Sequence, residues 1–172
     1  VPIHEGSLEL TTQGFEGLDE RVKKYKAAGA RFAKWRGVIT IGPNIPTDAC
    51  LRANAHALAR YAGICEENGI VPIVEPEVLI DGDHTIERCF EVNERTLGIL
   101  FDEITMQNVS LKHLILKASM VLPGKTNPNK VDVATVAAET VRCMKSAVPP
   151  EVPGIAFLSG GQTEEEASAH LN

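Results

Sequence analysis

Four short apolar runs, each ending in polar side chains, recur along the chain: Phe32-Ala33-Lys34-Trp35-Arg36, Ile73-Val74-Glu75-Pro76-Glu77, Ile115-Leu116-Lys117-Ala118-Ser119 and Phe157-Leu158-Ser159-Gly160-Gly161. Lys34, Glu75, Lys117 and Ser159 lie 41, 42 and 42 positions apart, the length of one strand, one helix and two loops. Side chains alternate along a strand, so Lys34 with Arg36, Glu75 with Glu77, Lys117 with Ser119 and Ser159 with Gly161 are expected to share the face of the preceding Phe32, Ile73, Ile115 or Phe157. Parallel, adjacent strands would then gather two lysines, an arginine, two carboxylates and two hydroxyls at their C-terminal ends.

Helical patterns fill the gaps. Leu18, Val22, Tyr25 and Ala28 recur at helical spacing before Gly29; a second helix starts at Thr47 after Pro46 and ends at Asn68-Gly69. A third follows Asp81-Gly82-Asp83, with Ile86, Phe90, Asn93, Leu97, Leu100 and Ile104 facing inward, and stops near Asn108. The fourth begins at Asp132 and cannot pass Pro149-Pro150; the fifth begins at Thr163, with Glu166 closing a capping box. Strand and helix alternating through short loops require parallel strands, in a doubly wound sheet or a (β/α) barrel. Polar residues at the ends of four successive strands suit a barrel rim, whereas a doubly wound sheet concentrates its contacts at one switch point. No G-x-G-x-x-G or G-x-x-x-x-G-K-[ST] segment supports the alternative. Residues 1–172 are therefore expected to form one partial (β/α)8 TIM barrel, about half of it. The chain starts at Val1 and stops at Asn172 soon after a helix start, so it is expected to be truncated at both ends.

A net charge of −6, with the 17 basic residues dispersed, argues against a general nucleic-acid binder, so an anionic ligand needs a local positive pocket. Cys50, Cys65, Cys89 and Cys143 form no C-x-x-C pair and are expected to be reduced thiols in or near the core. The five histidines show no metal-ligand spacing, and Asp81-Gly82-Asp83-His84 reads as a loop and helix N-cap. Neither a metal nor a cofactor is expected. No apolar run approaches the ~20 residues that span a bilayer, and the N-terminus shows no basic-then-apolar leader pattern; cytoplasm is the expectation, with a plastid open if a transit peptide was removed.

Lys117 lies in an apolar strand, where an ammonium is costly unless paired or neutralised. Desolvation beside a second cation such as Lys34 would leave some free amine, which attack on a ketone requires. Glu75 and Glu77 flank Pro76, whose ring is expected to point outward and to shorten the strand, and the two carboxylates could divide proton transfer from charge stabilisation. Ser159-Gly160-Gly161 joins a strand to a capped helix and offers backbone amides to a phosphate. Taken singly, each segment also has a bland reading: a salt-bridged strand-end lysine, solvated carboxylates, or a glycine turn without a ligand.

At these residues the chain closely resembles class I fructose-1,6-bisphosphate aldolase, the metal-independent Schiff-base family with a (β/α)8 barrel. The matching segments are Thr11-Thr12-Gln13-Gly14, Phe32 to Arg36, Asn68 to Glu77, Asp81 to His84, Leu116-Lys117 with Met120-Val121, and Phe157 to Gln162. The resemblance implies that Lys117 forms an imine with fructose 1,6-bisphosphate or dihydroxyacetone phosphate, with glyceraldehyde 3-phosphate as the other cleavage product. Glu75 would shuttle the proton, Lys34 would contact the reacting hydroxyls, Glu77 would orient the lysines, Arg36 would face the distal phosphate, and Ser159, Gly160 and Gly161 would hold the phosphate next to the ketone. It also implies barrel strands four to seven, a homotetramer and cytoskeletal partners. Ala118-Ser119 follows Lys117 where the family usually has Pro-Asn or Pro-Ser. The family's aspartate of strand one, lysine of strand three, arginine of strand eight and C-terminal tyrosine have no counterparts here, so the isolated piece is expected to expose two sheet edges and to cleave little or nothing. Two readings stay open beside this one: imine chemistry on another sugar phosphate, as in transaldolase-like barrels, and a non-catalytic interaction module.

Overall fold

The computed structural model describes all of residues 1–172, and helices and strands alternate in it from Leu18 onward. α1 (Leu18–Ala27) precedes β1 (Phe32–Ile39), α2 (Asp48–Glu67) precedes β2 (Val71–Val78), α3 (Ile86–Met106) precedes β3 (Ile115–Ala118), α4 (Val133–Ala147) precedes β4 (Ile155–Phe157), and α5 (Glu164–Leu171) follows. Side-chain caps set the helix starts. Thr47 accepts from Cys50 N, Thr85 from Arg88 N, and Asp132 from Thr135 N at 2.7 Å, each satisfying a backbone donor with no partner inside its helix. The cap of α3 is therefore Thr85 rather than the preceding aspartates. Thr163 and Glu166 form the expected capping box. The buried carboxylate of Glu9 ties the N-terminal segment to α2, accepting from Thr47 N and Thr47 Oγ1 at 2.7 Å each.

The strands form one parallel sheet in the order β1-β2-β3-β4. One face packs on helices. Ile39, Val74, Val78, Leu116 and Ala118 meet Leu51, Leu58, Leu100 and Ile104 there, all at most 2% exposed, and full burial of such a large aliphatic side chain contributes roughly 1.5–3 kcal/mol. Trp35 belongs to this face, its ring centroid 4.7 Å from Phe15 and 5.5 Å from Tyr61. Alternation then sends Lys34 and Arg36 to the opposite face. All four cysteines are free and buried, and burial pushes the Cys50 thiol up to about 12 and that of Cys89 to about 11, so they behave as small apolar residues.

Two expectations about the strands need correction. Pro76 does not shorten β2, because pairing with β1 continues through Gly37↔Pro76, Val38↔Glu77 and Ile39↔Val78. β4 is only Ile155–Phe157, so Ser159, Gly160 and Gly161 lie beyond the strand. Its register also differs from the sequence spacing. Lys117 pairs with Ala156, 39 positions on, whereas Ser159 is 42 positions on. That difference is odd, so Phe157 pairs with Ala118 and turns toward the helices.

Candidate active site

The polar face of the sheet is organised by register. Arg36 pairs with Glu75, and the Ile73↔Ile115 pairing carries Glu75 opposite Lys117, so these three side chains occupy one row across β1, β2 and β3. Lys34 starts one row lower, opposite Ile73, and its stem climbs diagonally. Its Nζ lies 2.8 Å from Glu75 Oε2, while Lys117 Nζ lies 2.8 Å from Glu75 Oε1. The Glu75 side chain is 4% exposed, whereas the Lys34 and Lys117 side chains retain 42% and 33% of their accessible surface. A buried anion thus sits between two half-buried cations whose outer flanks meet solvent.

Burial pushes the Glu75 carboxyl upward, but Lys117 and Lys34 together outweigh it and hold the group below its ordinary value of 4.5. The same offset recurs two residues along, where Arg36 Nε donates to Glu77 Oε2. This contact raises the Arg36 guanidinium against the opposing effect of desolvation. Each β1 cation reaches the carboxylate two residues further along β2. In consequence Glu77 orients Arg36 and contacts neither lysine, which corrects the expectation that it positions the amines.

Ser159, Gly160 and Gly161 form a turn beside this cluster, with no hydrogen bond to it. Gly160 and Gly161 have φ of 61° and 88°, in the region that favours residues without Cβ, so the backbone there is open to close approach. Gln162 folds back, its N and Nε2 donating to Ser159 O at 3.1 and 2.8 Å. Glu166, one of three acids that could repel a phosphate here, is turned into the capping box, accepting from Thr163 N at 2.9 Å. The structure therefore unites Lys34, Glu75 and Lys117, pairs Arg36 with Glu77, and leaves the glycine turn as a separate neighbouring element.

Sequence reading assigned no role to Ser119. Its hydroxyl accepts from Val78 N at 3.0 Å and lies 3.3 Å from Val78 O, in a buried position that clips the end of the Lys117 strand to that of the Glu75 strand. The available signal was a hydroxyl two residues beyond Lys117, on the face predicted to be polar. Ser119→Ala leaves Val78 N without its partner and is expected to destabilise the fold by about 1–3 kcal/mol in urea melts.

No group of three or more His, Cys, Asp and Glu side chains is arranged to hold a metal ion. No helix is long and apolar enough to cross a membrane.

The family model described as class-I fructose-bisphosphate aldolase matches residues 1–172. A probable fructose-bisphosphate aldolase class 1 of Xanthomonas campestris pv. campestris is 58% identical over 164 residues, covering 95% of this chain and 49% of that protein. The cytosolic fructose-bisphosphate aldolase 4 of Arabidopsis thaliana is 48% identical over 179 residues, covering 100% of this chain and 46% of its own length. Among solved structures, the fructose-bisphosphate aldolase of Plasmodium falciparum, in complex with TRAP and a small-molecule inhibitor, superposes with a TM-score of 0.97 at 47% identity, over 99% of this chain and 50% of that one. The chain spans about half the length of the curated relatives it matches.

Proposed function

Because this chain belongs to the class-I fructose-bisphosphate aldolase family, we propose that the whole protein reversibly cleaves fructose 1,6-bisphosphate to dihydroxyacetone phosphate and glyceraldehyde 3-phosphate through an imine on Lys117. The observation that carries this reading is the single buried carboxylate of Glu75, 2.8 Å from both lysines. A Lys117 amine, once its proton has left, adds to the ketone carbon. Glu75 Oε1 is the nearest base for that proton and can return it to the departing hydroxyl, so that loss of water completes the imine. As the carbon-carbon bond breaks, the hydroxyl of the departing carbon gives its proton to the Glu75 carboxylate and becomes the aldehyde, and the protonated imine nitrogen accepts the released electron pair to leave an enamine. Lys34, on the other carboxylate oxygen, keeps a positive charge beside the reacting hydroxyls. Glu77 fixes Arg36 for the distal phosphate, and Ser159 with the Gly160-Gly161 backbone receives the phosphate next to the ketone.

The same reading covers architecture and context. Sequential parallel order, with helices against one face and polar side chains on the other, supports one partial (β/α)8 domain over residues 1–172, strands four to seven of the barrel. Cytosolic naming of plant relatives supports a cytoplasmic location. A homotetramer and cytoskeletal contacts follow from the family resemblance, and the TRAP complex of the Plasmodium relative supports a partner-binding surface.

Borohydride reduction of the whole protein in the presence of dihydroxyacetone phosphate tests the assignment. The covalent adduct is expected on the peptide containing Lys117; an adduct on another lysine would remove the basis of the mechanism.

A further inference from the structure

Lys125 lies in the loop between β3 and α4, beyond every periodic segment of the sequence. The loop is fixed. Gly124 N, Lys125 N and Thr126 N donate to His84 O, Ile80 O and Gly82 O at 2.8, 2.8 and 2.9 Å, and Asn127 Nδ2 bonds Asp83 O and His84 O. Close approach is obligatory at Gly124, where a Cβ would fall 2.3 Å from Gly82 O. From this anchored backbone the exposed Lys125 side chain crosses to the glycine turn after β4, its Nζ only 2.8 Å from where a Gly161 Cβ would stand.

The ammonium has no carboxylate within ion-pair distance. It borders a cavity of about 530 Å³ that it shares with Lys130, Gly161, Gln162 and His170, over an apolar floor that includes Leu122. Lys130 Nζ donates to Lys125 O at 3.2 Å, bringing a second cation to the same wall. The one carboxylate of the wall, Glu166, accepts from Thr163 N in its cap. An unpaired ammonium beside two left-handed glycines is arranged for an anion. Gln162 connects this cavity to the segment just after the Lys117 strand, its Nε2 lying 3.7 Å from Met120 Sδ, three residues beyond Lys117.

We propose that Lys125 is an anion-binding residue whose ammonium closes on the phosphate monoester received by the Gly160-Gly161 turn. This deepens the function proposed above and rests on it. The sugar-phosphate end next to the ketone is thereby held between loop backbone on one side and a cation on the other.

The test compares wild-type whole protein with Lys125→Met and Lys125→Arg. Half-saturating ligand concentration is read from borohydride trapping at Lys117, with dihydroxyacetone phosphate and with phosphate-free dihydroxyacetone. Lys125→Met is expected to raise the value for the phosphate ester about tenfold, the scale of one charge-assisted hydrogen bond, to leave dihydroxyacetone unchanged, and to be rescued by Lys125→Arg. An unchanged value for the phosphate ester, or an equal rise for both ligands, overturns the role of Lys125. Absence of any Lys117 adduct in the wild type instead overturns the underlying function. Circular dichroism monitors folding, and Lys125→Gln carries the same comparison if the methionine variant does not fold.

Discussion

Lys117→Met in the whole protein is expected to eliminate the borohydride-trapped adduct and to lower kcat/KM for cleavage by on the order of 10⁴-fold or more, the scale of deleting a covalent nucleophile. The side chain keeps an unbranched apolar stem that ends where the amine was attached. Glu75 retains Lys34 at 2.8 Å, so the buried carboxylate stays paired and the fold should lose only about 1 kcal/mol. Activity and stability are thus expected to separate, with near-normal denaturant melts beside lost turnover. Lys34→Met supplies the contrast, because it removes a charge from the same carboxylate while leaving in place the Lys117 amine proposed to form the imine. Adduct formation should persist in that variant. Cleavage retained by Lys117→Met would rule out an imine at this position.

Substitution of Glu75 is expected to damage both chemistry and fold. Glu75→Gln keeps the shape but cannot accept the Lys117 proton, and kcat should fall by about 10²–10⁴-fold, the usual contribution of a positioned acid-base group. Glu75→Ala additionally leaves two ammoniums facing each other without an anion. Breaking a fully buried pair costs about 3–5 kcal/mol; because 42% of the Lys34 and 33% of the Lys117 side chain stay exposed, roughly 2–3 kcal/mol is expected here after solvent screening. A pH signature accompanies the loss. The Glu75 carboxyl is held below its ordinary value of 4.5 in the folded chain, so the unfolded chain binds the proton more readily. The ion pairs therefore stabilise fully above 4.5, and this contribution disappears as pH falls through the lower folded value. Wild type should lose stability over that acidic interval, whereas Glu75→Gln should lack this component. Parallel acid profiles in urea melts would show that Glu75 is not the linked group.

Local signals in the chain were legible wherever they were short-ranged. Thr47, Asp132 and Thr163 announce helix starts through a hydroxyl or carboxylate next to apolar periodicity, and all three cap as expected. Gly29, Asn68-Gly69 and Asn108 mark helix ends that the structure keeps within a residue or two. The Lys34-Glu75-Lys117 cluster was legible for a similar reason. Alternation is an even-numbered rule, and the offsets between β1, β2 and β3 preserve its parity.

Parity failed at β4. The Lys117↔Ala156 pairing departs from the sequence spacing by an odd number, and a three-residue strand ends before alternation reaches Ser159. Long-range partner choice was equally hidden. Two carboxylates and three cations on one face permit several pairings, and only the strand registers, diagonal from β1 to β2 and straight across from β2 to β3, assign Arg36 to Glu77 and both lysines to Glu75. Ser119 and Lys125 escaped because each meets a distant loop or strand-end backbone, Val78 for Ser119 and the Gly161 turn for Lys125, that side-chain alternation does not specify.

Composition, turn chemistry and hydrophobic period by themselves determined alternating helices and parallel strands, with one apolar and one polar sheet face, because propensities and side-chain alternation are properties of neighbouring residues. Strand register, the diagonal ion pairs, the Ser119 clip and the crossing of Lys125 to the glycine turn were decided only by the tertiary structure. Those contacts depend on how far one strand slides against the next, a quantity set by packing of α2, α3 and α4 on the sheet and by each other's backbones.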